Sequence, residues 1–317
     1  EIPDMARKCK RNVAPAPAGD RSKGLNINEL SGIVGVIEWP QRQETTRRNM
    51  QLRPLIGALG AEVFDIDISE PLGQNMVSTI RGALWEHQVL VFRDQKLSVE
   101  QHKAFARNFG KLHVHPFIYA KALPGEPEVL RVVKEKEDRR VFGERWHSDV
   151  TFLEKPLLGS ALYALEVPPT GGDTLFANMY AAYEALSDTM KKMLEPLTAI
   201  HETEIPEADP VTHERIEPMR LVKKSGEHPV IKVHPETGRK LLYVNTTYTA
   251  RIKGMTDEES KPLIDYLCQH ATKAEFCGRV RWAPGTLTFW DNRSTQHLPI
   301  NDYHGMRREM HRIAIET

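Results

Sequence analysis

The stretch Trp146-His147-Ser148-Asp149-Val150-Thr151-Phe152 places an imidazole and a carboxylate two residues apart, in a segment that reads as a strand. Side chains at i and i+2 share one face of a strand, so His147 and Asp149 are candidates to reach one ion together. A third ligand must come from a distant part of the chain. The candidate is His297, in Trp290-Asp291-Asn292-Arg293-Ser294-Thr295-Gln296-His297. Two imidazoles and one carboxylate on one side of an ion, with the other side open, suit non-haem Fe(II) oxygen chemistry. The HxD pair alone is a weak signal, and a lone histidine is more often a hydrogen-bonded core residue. His304 and His311 also lie near the C-terminus, and residue type alone does not choose between them and His297.

The 317 residues carry 43 Lys+Arg against 43 Asp+Glu, so the formal net charge is zero. That balance gives no reason to expect a nucleic-acid surface or a polybasic membrane anchor. No apolar run is long enough to span a bilayer, and the first residues have no signal-peptide pattern. Cys9, Cys268 and Cys277 are too few and too irregularly spaced for a disulfide frame or a zinc site. They read as reduced thiols, with a cytoplasmic location as the expectation.

Residues 1–49 differ from the rest. Pro15, Pro17, Gly19 and Gly24 break regular structure and basic residues are scattered among them, so an extended or mobile arm is expected. Within it, 33–37 is an apolar piece able to dock on the domain or a neighbour. Residues 50–317 form the expected catalytic domain. Alternation predicts a strand over 60–68, helical spacing a helix over 75–87, and a β-branched run a buried strand over 88–92. Ser98–Gln101 and Thr256–Glu259 have the form of capping boxes, opening helices that run to Phe109 and about His270. Further strands are expected over 128–133, 158–165, 173–176, 230–233, 240–245, 279–282, 286–290 and 312–315, with one helix over 181–197. The polar, proline-bearing 202–228 reads as a long insertion and a candidate lid. Many short strands, few helices and no βαβ rhythm favour a double-stranded β-helix, or jelly roll, with helices packed outside.

Four segments in this order resemble one family. They are Trp146–Phe152, Gly171-Gly172-Asp173-Thr174, Trp290–His297 and Arg307-Arg308-Glu309-Met310-His311-Arg312. From about Leu52 onward the chain is similar to the taurine dioxygenase-like branch of the Fe(II)- and 2-oxoglutarate-dependent oxygenases. That branch also holds alkylsulfatases and aryloxyalkanoate dioxygenases. The resemblance selects His297 as the third ligand beside His147 and Asp149. It implies that Arg308 pairs with the far carboxylate of 2-oxoglutarate, helped by the Thr174 hydroxyl, while Fe(II) takes the keto-acid end and O₂. Arg308 and Arg312 are four apart, so on a strand both face one cavity. Without the family, a surface salt bridge of Arg308 with Glu309 or Asp302 is the better reading.

The same resemblance leaves Arg312 free for an anionic head group and aligns His115 with the position that hydrogen-bonds a sulfonate. It aligns Tyr248 with an aromatic lining the substrate pocket. The implied reaction couples oxidative decarboxylation of 2-oxoglutarate to hydroxylation of a small anionic substrate, foremost an alkylsulfonate or alkyl sulfate ester. Collapse of that product releases sulfite or sulfate. The presence of Asp149 favours hydroxylation, because halogenating relatives lose this carboxylate. Three departures bear on the substrate. Gly143 stands where the taurine pattern has an amine-binding Asn, Ile118 replaces an expected tyrosine with Tyr119 one step on, and 202–228 lacks an expected Ser-Phe. The anion clamp is kept and the amine end is not. The competing readings are a hydroxylase of a carboxylate such as an aryloxyalkanoate, and a non-catalytic jelly-roll binding protein. Homo-oligomerisation is expected by analogy with relatives.

Overall fold

A computed structural model of the chain describes residues 50–115, 121–206 and 221–317. The expected N-terminal arm, including 33–37, lies outside them, as do Ile118, Tyr119 and the centre of the 202–228 segment. The elements run β1 (Gln51–Pro54), β2 (Ala61–Phe64), α1 (Gln74–His87), β3 (Val89–Phe92), α2 (Val99–Arg107), β4 (Leu112–His113), β5 (Ala122–Leu123) and β6 (Glu126–Lys134). They continue with β7 (Gly159–Glu166), β8 (Thr174–Asn178), α3 (Met179–Glu184), α4 (Asp188–Leu194), β9 (Thr198–Pro206), β10 (Leu221–Pro229), β11 (Ile231–Val233) and β12 (Lys240–Leu242). β13 (Thr249–Ile252), α5 (Asp257–Ala271), β14 (Cys277–Val280), β15 (Leu287–Asp291), β16 (Thr295–Pro299) and β17 (Arg308–Ile315) complete the described chain.

The major sheet has the order β1-β2-β3-β15-β7-β17-β6-β5, with β4 on the end of β17. A smaller sheet, β14-β8-β16, faces it, and the chain folds as a jelly roll. Period-two alternation assigns the two faces of the major sheet. Leu90, Phe92, Ala161, Tyr163, Leu287, Phe289, Ile313 and Ile315 pack with α1 and α2 residues such as Ile80, Leu84 and Phe105. Their neighbours Val89, Val91, Leu162, Ala164, Trp290 and Met310 point the other way, onto Phe176, Val280 and Trp282. Arg308 and Arg312 share the parity of Met310, so both lie on the inner face, between the sheets. A second core gathers α3, α5 and the β11–β12 hairpin around Tyr180, Leu241 and Leu267.

Both capping boxes form: Ser98 with Gln101, and Thr256 with Glu259. α2 stops at Arg107 with Asn108 as its cap, short of the expected Phe109. Several expectations are corrected. The 60–68 strand ends at Phe64, because Asp65 has φ 59 and leaves the extended region. The single helix over 181–197 is two helices, since Ser187 caps a fresh start by accepting from the Met190 N–H. In 202–228, expected to be a long insertion and candidate lid, the described ends continue β9 and β10, paired from Thr198↔Pro229 to Pro206↔Leu221, and the lid expectation lies outside the described residues. One β-α-β unit also exists at the sheet's edge, where β2 and β3 pair in parallel across α1. Among the described residues no helix is long and apolar enough to cross a membrane.

β7 runs between β15 and β17. At its start Gly159 pairs with Asp291 on one side and Ile315 on the other. A Cβ there would collide with the Trp290 carbonyl oxygen. The Gly159→Ala variant is therefore expected to lose about 1–3 kcal/mol, read as a lower urea midpoint with an unchanged slope.

Candidate metal centre and active site

His147 and His297 come from segments far apart in sequence, and two backbone hydrogen bonds join them. The His297 N–H donates to the His147 carbonyl at 2.8 Å, and the His147 N–H donates back at 3.2 Å. This isolated antiparallel bridge is the only extended pairing of the 146–152 stretch. The expectation that the whole stretch is a strand is thus corrected. Asp149 to Phe152 form a turn, and Val150 has φ 47. The carboxylate reaches the imidazoles because the chain turns back on itself, and the i,i+2 rule of a strand does not account for it.

The turn is held from several sides. Asn292 accepts from the Asp149 N–H at 2.6 Å and donates to the Asp149 carbonyl at 3.0 Å. The Ser148 hydroxyl donates to the Thr295 carbonyl at 2.7 Å. Thr151 meets His201 at 2.8 Å and accepts from Asn245 at 3.1 Å, while its carbonyl accepts from His228 at 2.8 Å. The paired ends of β9 and β10 supply these two histidines.

Asp149 Oδ1 lies 3.8 Å from His147 Nε2 and 3.9 Å from His297 Nε2. All three candidate ligand atoms fall within 4.8 Å of one another, and all three residues are buried. Their chemistry fits a divalent ion. The Arg145 carbonyl sits 2.7 Å from His147 Nδ1. A carbonyl only accepts, so Nδ1 carries the proton and Nε2 keeps its lone pair. Burial pushes both imidazoles down, His297 to about 3, so both are neutral donors at neutral pH. Burial pushes the Asp149 carboxyl up, but Arg312, His297 and His147 outweigh it and hold it well below the usual range. An ionised carboxylate facing two neutral imidazoles is the donor set that Fe(II) takes.

Arg312, expected to face an anionic head group, is also bonded to the metal-side carboxylate. Its Nη1 donates to Asp149 Oδ1 at 2.6 Å, while Ser160 donates to Oδ2 at 2.9 Å. An ionised carboxylate oxygen accepts more than one bond, so the arginine does not close Oδ1 to an ion. Arg312 Nε remains buried without a partner. The guanidinium stands between two cavities. One is lined by His147, Thr174, Trp290, His297 and Arg308; the other, smaller one is lined by His113, His115, Leu130 and Ala314. The structure so brings His115 and Arg312 together. Burial first, then Arg312, pushes the His115 imidazole down to about 3, so it meets a ligand as a neutral ring.

Arg308 is buried, with Nε and Nη2 unpartnered. Neither expected surface partner claims it: Glu309 pairs with Arg307 and Arg131, and Asp302 with Arg279. Thr174 accepts from Trp282 Nε1 at 3.0 Å, which leaves its own O–H to donate into the cavity. The Tyr248 ring lies 6.4 Å from His147 and 5.2 Å from Phe152, centroid to centroid. Burial raises its phenol to about 12. Gly143 has φ +78, and a Cβ on it would come 2.8 Å from the His147 ring. The position of the amine-binding Asn is therefore sterically closed here. Sequence reasoning missed Ser160, Trp282 and Tyr303, which carry no spacing signal. Asn292 lies within the Trp290–His297 motif, but its two hydrogen bonds to Asp149 leave no local signal.

Residues 51–314 match the model of the taurine catabolism dioxygenase TauD, TfdA family. The chain belongs to this family. It is 37% identical over 276 residues to an alkylsulfatase of Acinetobacter baylyi, covering 84% of this chain and 85% of that one. It is 35% identical over 286 residues to an α-ketoglutarate-dependent 2,4-dichlorophenoxyacetate dioxygenase of Cupriavidus pinatubonensis, covering 82% and 96%. The crystal structure of a taurine dioxygenase from Burkholderia xenovorans superposes with TM-score 0.71 at 34% identity, covering 84% of this chain and 89% of the other. The TauD/TfdA member described here is accordingly an oxidoreductase of the 2-oxoglutarate-dependent dioxygenase class. It acts on a small molecule with Fe(II), 2-oxoglutarate and O₂.

Asn292 touches no ligand atom, yet both its bonds hold the backbone of Asp149. Asn292→Ala is expected to weaken Mn(II) or Fe(II) binding about 10- to 100-fold. Metal titration of the purified variant measures this, with near-ultraviolet circular dichroism checking that the fold is kept.

Proposed function

We propose that this enzyme hydroxylates an alkyl sulfate ester or alkylsulfonate at the carbon next to the oxyanion group. His147, Asp149 and His297 would hold Fe(II), which with 2-oxoglutarate and O₂ supplies the power to oxidise an unactivated C–H bond. Arg308, with Thr174 beside it, would take the far carboxylate of 2-oxoglutarate. Arg312 and His115 would take the substrate's anionic head and set its α-carbon towards the metal side of the cavity. Tyr248 and Phe152 would pack along the substrate chain, and Trp290 with Phe176 would keep bulk water from the back of the cavity. The hydroxylated carbon then carries both OH and sulfate or sulfonate. Breaking its bond to that group leaves an aldehyde and releases sulfate or sulfite.

One observation carries the choice of head group. Arg312 touches the metal-side carboxylate and also lines the small pocket of His115. A tetrahedral oxyanion presents three oxygens, enough to meet a guanidinium N–H and an imidazole N–H from different directions. A planar carboxylate presents two, best matched by one fork. The closed position at Gly143 fits a substrate without an amine. The second reading, hydroxylation of an aryloxyalkanoate carboxylate, is favoured by the 35% identity to the 2,4-dichlorophenoxyacetate enzyme. A cytoplasmic location goes with either reading, where 2-oxoglutarate is available and Cys268 and Cys277 stay reduced.

Protein reconstituted anaerobically with Fe(II) and 2-oxoglutarate, then exposed to O₂, should form succinate above its substrate-free rate with alkyl sulfates or longer alkylsulfonates. Matching sulfate or sulfite release is expected. Stimulation by aryloxyacetates alone would move the assignment to the carboxylate reading. In the same assay His115→Ala should raise the KM for a sulfate or sulfonate substrate at least about tenfold. A carboxylate substrate should change little, and equal losses for both would sink the clamp.

A further inference from the structure

The cavity holds one cation more than this reading uses. Lys134 ends β6 and lies directly opposite Arg308 in the β6–β17 register. Opposed residues of an antiparallel pair point to the same face, here the inner face that Arg312 and Met310 also share. Lys134 is only 3% exposed. Its Nζ is buried with no hydrogen-bond partner among the described residues, and it lies 4.7 Å from the centroid of the Tyr303 ring. Lys134, Arg308, Thr174 and Tyr303 line one cavity with His147 and His297.

Two like charges placed opposite each other repel, and a buried cation without an acceptor is costly. The nearby carboxylates relieve this only in part: the charge of Asp173 acts on Arg308, but both carboxylates have closer partners. Asp173 receives Arg279 at 2.5 Å, and Asp302 receives the Gly172 N–H and Arg279. The Tyr303 hydroxyl accepts one bond from Arg308, and its ring face gives Lys134 a weak cation–π contact. Arg308 and Lys134 together thus leave at least three buried N–H-bearing atoms unmatched. A carboxylate entering between them would match them, since its two oxygens accept from a guanidinium on one side and an ammonium on the other.

We infer that Lys134 is a second cosubstrate-binding cation, which joins Arg308 on the far carboxylate of 2-oxoglutarate and so selects dicarboxylic over monocarboxylic 2-oxo acids. This rests on the placement of 2-oxoglutarate proposed above. Lys134 is then a specificity-determining residue, and its unpaired state without ligand costs the protein stability. A lysine kept for structure would act in the opposite sense.

The test uses the Mn(II)-loaded chain titrated calorimetrically with 2-oxoglutarate and with 2-oxopentanoate, which lacks the far carboxylate. Lys134→Met keeps length and removes charge; Lys134→Gln is the second variant should Met disturb folding. Both are expected to bind 2-oxoglutarate about 10- to 100-fold more weakly and 2-oxopentanoate within about twofold of wild type. Ligand-free Lys134→Met should melt at or above the wild-type temperature. Equal weakening for both acids, or none for either, overturns the assignment, and so does a lower melting temperature with unchanged 2-oxoglutarate affinity. A wild type that binds neither acid overturns the 2-oxoglutarate reading and the role of Lys134 with it. The wild-type titration alone separates that failure from the others.

Discussion

The pair of backbone hydrogen bonds between His147 and His297 is the constraint on which the site depends. It ties a turn after β6 to a strand of the minor sheet and fixes the two imidazoles before any ion arrives. Everything around it keeps that junction in register. Asp291 is fully buried and receives the Arg293 guanidinium and His234. Arg293 also reaches Glu236 in the β11–β12 turn. The segment between β15 and β16 is anchored on its far side by these charges, and on its near side by Asn292 and Thr295 holding Asp149 and Ser148. Buried ion pairs add little net stability against apolar replacements, but breaking one leaves an unmatched charge. That asymmetry makes the arrangement rigid where ligand placement demands it.

Electrostatics then decide what the cavity accepts. A buried ionised Asp149 is tolerated because Arg312 and Ser160 bond both its oxygens. On the opposite side of the same space Arg308 makes no carboxylate ion pair among the described residues, and only the Tyr303 hydroxyl and the charge of Asp173 favour its cation. The inner face of the major sheet therefore carries cationic charge in excess of its anionic charge, in a place where desolvation makes every unit costly. A divalent ion alone would aggravate this; a dianionic cosubstrate bound with it would cancel the ion's own charge and give the buried cations carboxylate oxygens to donate to. The apolar wall of Val132, Val141 and Leu162 offers these charges no compensating dipoles.

Much of this was legible in the sequence, and the exceptions have physical causes. The three candidate ligands converge, and Arg308 and Thr174 line one cavity with His147 and His297. The parity of Arg308 and Arg312 on β17 follows from strand geometry alone. The extended reading of 146–152 failed because Val, Thr and Phe favour strands, whereas tertiary bonds to Asn292, His201 and His228 impose a turn with a positive φ at Val150. The break between α3 and α4 rests on one capping hydroxyl inside an otherwise regular helical period. The β9–β10 pairing depends on contacts between residues that composition marks as polar loop. The bond from Arg312 to Asp149 spans 163 positions and leaves no local trace.

Gly143 shows how one position links local geometry to substrate choice. Its φ of +78 is open to glycine at little cost, and the His147 ring fills the volume where a Cβ would stand. A polar side chain cannot be restored there without moving a candidate metal ligand. The absence of a side chain at Gly143 and the tight seating of His147 are therefore one structural fact seen from two sides. Arg312 meets the same centre from β17, through Asp149, and it shares a second, smaller cavity with His115, which follows β4.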